Sequence, residues 1–337
     1  MTTISDGLIS FGFSHRRAGS AQMGGMMEIR KFGKTGCEIT ALGFGGMELL
    51  YLDEKSAVRL LNEVLEQGIT YVDTSPEYAK SEYFIGKAIA GRREEYVLAT
   101  KCGDNMTGRG PLYSFDRETI MGNIDESLRL LKTDHVDILQ LHGVIPADFP
   151  EGKWEETMEV LEEIRRSGKA LHLGLTVCNK GPGMYGFPAG YGYHSILPFA
   201  SDPRIEVIQL VYGGLTRLSE NVIQEACDRY GTGIVARGIL KRYDDSYPAK
   251  LAAARLSELC EEGESENDFL IRYSLSHPGL ACVLAGTKNI DHLRRNVRMA
   301  EKGKLPDEVY QEAKRRLTFA GAVAGPVEMA WQESIKK

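Results

Sequence analysis

The stretch Val72-Asp73-Thr74-Ser75-Pro76-Glu77-Tyr78 marks the point where an apolar run gives way to polar side chains. Two later apolar runs end in the same way, one on Lys101 and the other on His142. Short apolar runs of this kind predict β-strands. In a barrel of parallel strands the carboxyl ends meet on one face, where function concentrates. We therefore expect Asp73, Tyr78, Lys101 and His142 to converge on one pocket.

Strand-like and helical segments alternate along the chain from residue 28 onward. Barrel strands are predicted at 39–47, 70–73, 96–101, 136–141, 170–176, 205–211, 233–236 and 280–285. Helices are predicted at 54–67, 81–91, 116–132, 153–167, 219–230, 265–276 and 290–300, with a short one at 193–199. Eight such strands predict an α/β fold, a (β/α)8 TIM barrel. A hairpin at 28–38 precedes it and an extra C-terminal helix at 306–319 follows it.

The chain is expected to have three parts. Residues 1–26 have no sustained apolar pattern and no clear signal-peptide core, so we interpret them as a flexible extension. Residues 27–320 form the barrel, and residues 321–337 form a tail. The loops at 102–115, 179–203 and 241–248, together with the tail, are expected to form the walls of a pocket.

Composition narrows the possible partners. The formal net charge is −6, from 41 basic and 47 acidic residues, which argues against nucleic acid or an anionic membrane. No apolar run approaches the roughly 20 residues that span a bilayer. The six cysteines are scattered without a CxxC pair, which is typical of reduced thiols in a cytoplasmic protein. The seven histidines lack paired-ligand spacing, so no metal site is expected.

The four candidate side chains have ordinary explanations when each is taken alone. Asp73 and Lys101 could form a structural salt bridge, Tyr78 could be a rim aromatic, and His142 could be a satisfied polar residue. As a unit they suit acid–base chemistry on a carbonyl. The phenol keeps its proton at neutral pH, the ammonium lowers the phenol pKa, and the carboxylate holds the ammonium. The imidazole can orient a carbonyl oxygen.

Two motifs carry a resemblance to a known family. Residues 68–78, followed by Glu82 and Gly86, resemble the aldo-keto reductase signature, and Val136–His142 resembles a second family motif. The resemblance covers about residues 27–305. It implies a (β/α)8 barrel that binds NAD(P)H across its carboxyl rim and transfers a hydride between nicotinamide and a carbonyl or alcohol. The family's Asp, Tyr, Lys and His tetrad matches Asp73, Tyr78, Lys101 and His142.

The same resemblance implies residues that bind the nicotinamide end of the cofactor. Gly46 and Met47 match a backbone contact beside Asp73, and Gln209 matches the glutamine that binds the carboxamide. Thr176 and Val177 stand where the family often has Ser-Asn. In the segment Arg237-Gly238-Ile239-Leu240, the arginine replaces an aromatic residue that stacks on the nicotinamide. A guanidinium can also stack on a flat ring.

A later segment resembles the site for the adenosine phosphate. It comprises Gly286, Thr287 and Lys288, followed by His292, which replaces a common arginine, and Asn296. Lys288 could face a 2′-phosphate, which favours NADP(H) while leaving NAD(H) possible; alone it would be interpreted as a solvated surface lysine. A literal GxGxxG at 181–186 contains Pro182 and is not followed by a helix, so we interpret it as a loop and not a Rossmann site.

The substrate is expected to be a small carbonyl or alcohol compound, whose identity the sequence leaves open together with the oligomeric state. Two other functions remain possible. The barrel could be a nucleotide-binding regulatory or partner protein with little turnover, as potassium-channel β-subunits that resemble the family are. It could also be an unrelated barrel enzyme, such as an isomerase acting on a sugar phosphate.

Overall fold

The structure is a computed structural model that describes residues 25–109, 111–144, 149, 151–177, 196–240, 246–325 and 327. Residues 1–24 of the predicted extension, the GxGxxG loop at 181–186 and the tail from 328 onward lie outside this part of the chain. Within the described residues, no helix is long and apolar enough to cross a membrane.

Eight parallel strands in the described residues close into a barrel, which confirms the predicted (β/α)8 fold. Around the barrel they follow chain order, and the last pairs with the first. The strands are β3 (Leu42–Gly45), β4 (Tyr71–Asp73), β5 (Val97–Cys102), β6 (Val136–Val144), β7 (Ala170–Val177), β8 (Val207–Val211), β9 (Gly233–Arg237) and β10 (Cys282–Ala285).

An antiparallel hairpin of β1 (Ile29–Lys31) and β2 (Glu38–Thr40) precedes the barrel. The prediction that residues 39 and 40 belong to the first barrel strand was wrong. They pair with β1, and the barrel strand begins only at Leu42, which pairs with Val283. The hairpin closes the amino-terminal end of the barrel. At its turn, Gly33 has φ +54° and packs so closely that a Cβ would lie 2.2 Å from the nitrogen of Gly233.

Helices surround the barrel close to the predicted positions. They are α1 (Glu54–Glu66), α2 (Ser81–Ala88), α3 (Arg117–Leu131), α4 (Lys153–Arg166), α5 (Ile196–Ala200), α6 (Glu220–Tyr230), α7 (Tyr247–Ala254), α8 (Glu266–Leu275), α9 (Ile290–Lys302) and α10 (Asp307–Phe319). Short 3-10 turns cover Gly46–Tyr51, Pro76–Tyr78, Ala90–Glu95 and Leu256–Glu258. Helix α7 was not predicted.

Polar caps explain several helix starts. The Asp53 side chain accepts from Ser56 N, Asp116 accepts from Thr119 N, and Ser265 forms a capping box with Asp268.

The core formed by the described residues has two parts. One lies between the barrel and the helices, and the other comprises mostly inward-facing strand residues together with the hairpin. The members of the second are Phe32, Ile39, Tyr71, Val97, Ala99, Ile138, Val207, Val235, Ala281, Cys282 and Leu284. Because side chains alternate along a strand, the residues two places beyond Tyr71 and Ala99 also face inward. These are Asp73 and Lys101, so the interior passes from an apolar floor to a polar rim.

Candidate active site

A buried ion pair lies at the carboxyl end of the barrel. Lys101 Nζ donates to Asp73 Oδ2 at 2.8 Å and to the carbonyl oxygen of Thr74 at 2.6 Å. Both side chains are buried, with 0% and 3% of their surfaces exposed. Burial lowers the pKa of Lys101, but the charges of Asp73 and Tyr78 outweigh it and the net shift is upward. Lys101 is therefore held as a cation in the barrel interior.

Two glutamines complete the surroundings of Asp73. Gln209 Nε2 donates to Asp73 Oδ1 at 2.8 Å, and Gln140 Nε2 donates to the same oxygen at 3.1 Å. Both side chains are fully buried. Their Oε1 atoms accept no hydrogen bond from any residue that the structure describes. Two buried acceptors are therefore available to a donor from a bound molecule. Gln140 was not among the sequence-predicted site residues.

Tyr78 lies on the 3-10 turn beyond β4, with its ring beside the ion pair. Lys101 Nζ is 4.9 Å from the centre of this ring, and the His142 ring centre is 6.1 Å away at a steep angle. We expected Lys101 to lower the pKa of Tyr78. Its charge does act in that direction, but burial outweighs it and raises the phenol pKa. The phenol therefore keeps its proton at neutral pH.

His142 is bonded to a carboxylate that sequence analysis missed. Its Nδ1 lies 2.6 Å from Asp104 Oδ1, and Ser75 Oγ donates to Asp104 Oδ2 at 2.7 Å. Asp104 is almost completely buried in the loop after β5. Asn123 of α3 accepts from the backbone N–H groups of Gly103 and Asp104 and donates to the Asp104 carbonyl, which holds this loop against the helix.

The same place brings three possible metal ligands together. Donor atoms of Glu77, Asp104 and His142 lie within 4.8 Å of one another. We expected no metal site because the sequence shows no ligand spacing, and these residues come from three separate segments. The His142 and Asp104 atoms already share a 2.6 Å hydrogen bond. We therefore interpret the group as a hydrogen-bonded network that orients His142.

The residues assigned to the nicotinamide end of a cofactor surround this centre. Gly46 begins the turn after β3, and a Cβ there would lie 2.7 Å from Ser81 Oγ and 3.0 Å from the Asp73 carbonyl oxygen. Only a glycine fits so close to the end of β4. Met47 follows it with a partly exposed side chain. Thr176, at the end of β7, accepts from the backbone N–H of Gly143 at 2.6 Å.

Arg237 ends β9, and its guanidinium donates to the carbonyl oxygen of Val177 at 3.4 Å. Gly238 follows with φ +68°, a conformation that favours glycine, and the half-buried Leu240 packs against the main core.

The residues assigned to the adenosine phosphate form a second group at the end of β10. Thr287 is buried and hydrogen-bonded to the backbone of Asn289, which caps α9 by accepting from Asp291 N and His292 N. Lys288 is exposed, with Nζ 5.3 Å from the centre of the Tyr51 ring. Gly286 lies beside Gly45, and a Cβ would approach its carbonyl oxygen to 3.2 Å. His292 and Asn296 follow on α9.

The chain is similar to proteins of one known family. The model of the Aldo/keto reductase family matches residues 41–316. An aldo-keto reductase from Bacillus halodurans, AKR11C1 in its holo form, has a TM-score of 0.72 and 28% identity, covering 86% of this chain and 96% of that one. L-galactose dehydrogenase of Arabidopsis thaliana is 27% identical, covering 80% of this chain and 87% of the relative. The uncharacterized oxidoreductase YqkF of Bacillus subtilis is 27% identical, covering 84% and 94%.

These relatives are matched over nearly their whole length, and the family match includes every strand of the barrel and the polar centre at its carboxyl end. The chain therefore belongs to the aldo/keto reductase family and is an NAD(P)H-dependent oxidoreductase.

Proposed function

We propose that this enzyme interconverts a small carbonyl compound and its alcohol with NADP(H), and that Tyr78 is the acid and base. The buried Lys101–Asp73 pair beside the Tyr78 ring carries the proposal. A buried cation next to a phenol has a clear use, because it stabilises the phenolate that remains once the proton has been given away. A Lys101–Asp73 ion pair with only a structural role would not need the Tyr78 ring beside it.

Each residue of the centre has a distinct part in the proton transfer. Tyr78 holds a proton on Oη and donates it to the alkoxide oxygen that forms as a carbonyl is reduced. Lys101 stabilises the resulting phenolate through its charge. Asp73 keeps Lys101 in place, and Gln140 and Gln209 fix Asp73 by donating to its second oxygen. In the reverse direction the same phenolate removes a proton from an alcohol.

His142 is proposed to orient the substrate oxygen. Its Nδ1 is hydrogen-bonded to Asp104, so Nε2 is the ring nitrogen that can contact a substrate. A hydrogen bond from Nε2 of the protonated ring to a carbonyl oxygen both aligns the carbonyl and stabilises the charge that develops on it.

The described residues fit a nicotinamide cofactor. The free Oε1 atoms of Gln209 and Gln140 suit the amide N–H groups of a carboxamide, and Gly46 keeps the end of β4 open. Thr176, Arg237, Gly238, Leu240 and Met47 are the further residues proposed to hold that end. When bound, the cofactor supplies or accepts the hydride. The chain's own residues bind it, orient the substrate and move the proton.

Charge at the end of β10 favours NADP(H) over NAD(H). Lys288 carries an exposed ammonium that lies over the Tyr51 ring, and His292 lies in the first turn of α9. A cationic side chain such as Lys288 beside a helix N-terminus suits a phosphate. Gly286, Thr287 and Asn296 are proposed to complete this part of the site.

The Tyr78→Phe substitution tests the assignment of the acid. It keeps the ring and removes the proton, so turnover of NADPH with a reactive aldehyde should fall by about a hundredfold to ten-thousandfold. Binding of NADPH, followed by fluorescence titration, should stay nearly unchanged. Tyr83→Phe, which alters a surface tyrosine bonded to Glu54, is the matched control and should keep wild-type turnover.

Turnover at the wild-type rate in Tyr78→Phe would contradict the assignment. If the native protein binds NADPH tightly but reduces none of a broad panel of aldehydes, ketones and sugars, the partner-protein function becomes the better explanation.

The preference for NADP(H) is tested by the same fluorescence titration with NADH, which should bind more weakly than NADPH. Lys288→Ala should remove most of this difference in affinity. Equal affinity for both cofactors would contradict the NADP preference.

A further inference from the structure

A second cluster of reactive side chains lies at the opposite end of the barrel. His172 Nε2 is 3.9 Å from Cys37 Sγ, and His172 Nδ1 is 2.9 Å from Glu206 Oε1. Cys37 lies in the hairpin that closes the barrel floor, His172 near the start of β7, and Glu206 immediately before β8. A thiol, an imidazole and a carboxylate in this order have the arrangement of a nucleophile, its base and the group that orients the base.

The cluster is held in place on both sides. Glu206 also accepts from the backbone N–H of Leu173 at 3.3 Å, so its carboxylate faces the strand that carries His172. On the hairpin side, Cys37 N donates to Thr35 Oγ1 at 3.1 Å and the Cys37 carbonyl accepts from Phe32 N at 2.9 Å. These bonds fix the backbone of Cys37. The residue is half-buried, so part of its surface faces solvent.

The imidazole next to the thiol is positively charged at neutral pH. Burial alone would lower the pKa of His172, but its hydrogen bonds with Cys37 and Glu206 raise the pKa to about 9. Burial raises the pKa of Glu206, but the hydrogen bond and charge of His172 outweigh it, so the net shift is downward. An imidazolium beside a cysteine stabilises the thiolate, which is the nucleophilic form.

Other charged groups around the cluster do not cancel this effect. Arg165 of α4 lies 3.9 Å from Glu206, and Lys34 of the hairpin faces Glu206 and Asp202. Burial lowers the pKa of Lys34. Both cations interact with carboxylates of this region. The cluster thus joins an imidazolium to a partly exposed cysteine, and reactive cysteines occur in such surroundings.

We propose that Cys37, His172 and Glu206 form a nucleophilic thiolate site at the barrel floor, which small hydroperoxides modify. The Cys37 thiolate attacks one oxygen of hydrogen peroxide, so an S–O bond forms and the O–O bond breaks. Sulfur loses two electrons and becomes a sulfenic acid, while the peroxide is reduced. The departing hydroxide takes the Nε2 proton of His172 and leaves as water.

This site is separate from the oxidoreductase centre. His172 and Thr176 face inward from the same strand, but His172 lies at the floor beside the hairpin and Thr176 lies at the rim beside Gly143. The apolar cluster that contains Tyr71 and Ile138 fills the barrel between the two ends. Chemistry at Cys37 therefore uses none of the residues proposed to bind cofactor or substrate.

Alkylation of the folded full-length protein by iodoacetamide tests the thiolate, with each cysteine followed by peptide mass spectrometry. Cys260 and Cys227 are partly exposed internal controls, and burial raises the pKa of Cys227 and raises that of Cys260 to about 11. At neutral pH, Cys37 should react on the order of tenfold faster than Cys260, because the thiolate is the reacting species. Its rate should depend less steeply on pH than the Cys260 rate.

Variants of His172 and Glu206 test whether these side chains, and not exposure alone, make Cys37 reactive. His172→Gln and Glu206→Gln should each slow alkylation of Cys37, His172→Gln by about tenfold, without changing the rates of Cys227 and Cys260. Glu38→Gln removes an exposed carboxylate next to Cys37 outside the cluster and should leave the rate unchanged. Unchanged control rates and unchanged aldehyde turnover show that a variant is folded. If His172→Gln does not fold, the wild-type pH profile decides.

Treatment with hydrogen peroxide in the presence of dimedone tests the modification itself. Dimedone should label Cys37 in the wild type, and Cys37→Ser should lose this label. The proposal is overturned if Cys37 alkylates no faster than Cys260, if its rate rises with pH like that of Cys260, or if folded His172→Gln reacts like the wild type. A label distributed over the other cysteines and absent from Cys37 would overturn the peroxide chemistry.

Discussion

Asp104 shows how one residue decides what another can do. Burial alone would raise the pKa of Asp104, but hydrogen bonds from His142 and Ser75 outweigh it and lower the pKa. An ionised carboxylate only accepts hydrogen bonds, so the proton between the two side chains belongs to His142 Nδ1. In a neutral imidazole Nε2 is then an acceptor, and it can donate to a carbonyl oxygen only when the ring is protonated.

Substitution of Asp104 should therefore slow carbonyl reduction. In Asp104→Asn the charge that holds the His142 ring by its Nδ1 atom is gone, so kcat/KM at neutral pH should drop by about tenfold to a hundredfold. The measurement is kcat/KM for one aldehyde at neutral pH.

Ser75→Ala is the matched control, because it removes a hydrogen bond to Asp104 but keeps the charge. It should lower kcat/KM much less than Asp104→Asn does. Equal kcat/KM values in the wild type and Asp104→Asn would show that Asp104 does not position His142.

At the residue scale, the sequence pointed to the tetrad but not to its supports. Asp73, Lys101 and His142 end or follow apolar strands, which is a pattern that can be seen in one dimension. Asp104 lies in a loop whose position depends on Asn123 of a later helix. No periodicity connects these residues, so their contact could not be predicted.

At the scale of elements, Gly86 decides how closely α2 and α3 approach. A Cβ at Gly86 would lie 2.1 Å from the carbonyl oxygen of Leu130 and 2.9 Å from the Cα of Leu131. These are backbone atoms, which cannot move without shifting the helix. Gly122, on α3, has nothing within 4 Å of its Cβ position. The two glycines are both helical but differ in their surroundings.

The Gly86→Ala substitution should therefore destabilise the protein, although alanine is the better helix former. Overpacking of this kind costs about 1–3 kcal/mol of unfolding free energy. Gly122→Ala should instead be neutral or stabilise the protein by up to about 1 kcal/mol. Urea denaturation of both variants measures the difference. Equal stability of the two variants would mean that α2 and α3 separate at little cost.

The order of elements was largely predictable, and their bounds less so. Apolar runs and helical periodicity located every barrel strand and most helices. Residues 39 and 40 of the hairpin strand were assigned to the barrel, because no charged residue, glycine or proline separates them from Leu42. Helix α7 was missed because its residues carry no strong helical pattern. Local sequence does not show with which strand a short apolar run will pair.

For the whole molecule, Glu220 joins distant parts of the chain. Its carboxylate accepts from Arg217 Nε at 2.6 Å, from Lys314 Nζ at 2.6 Å and from the hydroxyl of Tyr273 at 3.3 Å. Arg217 in turn donates to the carbonyl oxygen of Ala322. This network connects α6, α8 and α10 around the buried carboxylate of Glu220. Burial raises the pKa of Glu220, but Arg217 and Lys314 outweigh it and lower the pKa to about 2.

The network should make the fold sensitive to acid. The folded pKa lies below the unfolded value of about 4.3, so the stabilisation is fully present above that pH and is lost as pH falls towards 2. Its size is about 3 kcal/mol by linkage. In Glu220→Gln, the unfolding free energy should depend less steeply on pH between about 4.5 and 2. Urea denaturation at a series of pH values measures this slope.

Glu225→Gln, on the same helix, is the control, since Glu225 is partly exposed and meets Arg229 at 3.4 Å. Its slope should match the wild type. If Glu220→Gln also matches the wild type, then the acid sensitivity of the fold lies elsewhere.

By itself, the sequence determined the barrel, the order of its elements and the four side chains at its carboxyl rim. It could do so because strand alternation and the common direction of parallel strands place particular positions at one end of a sheet. Only the tertiary structure brought Asp104 to His142, Gln140 and Gln209 to Asp73, and Cys37 to His172. Those contacts join segments far apart in the chain, and their distances depend on how hairpin, loops and helices pack around the closed barrel.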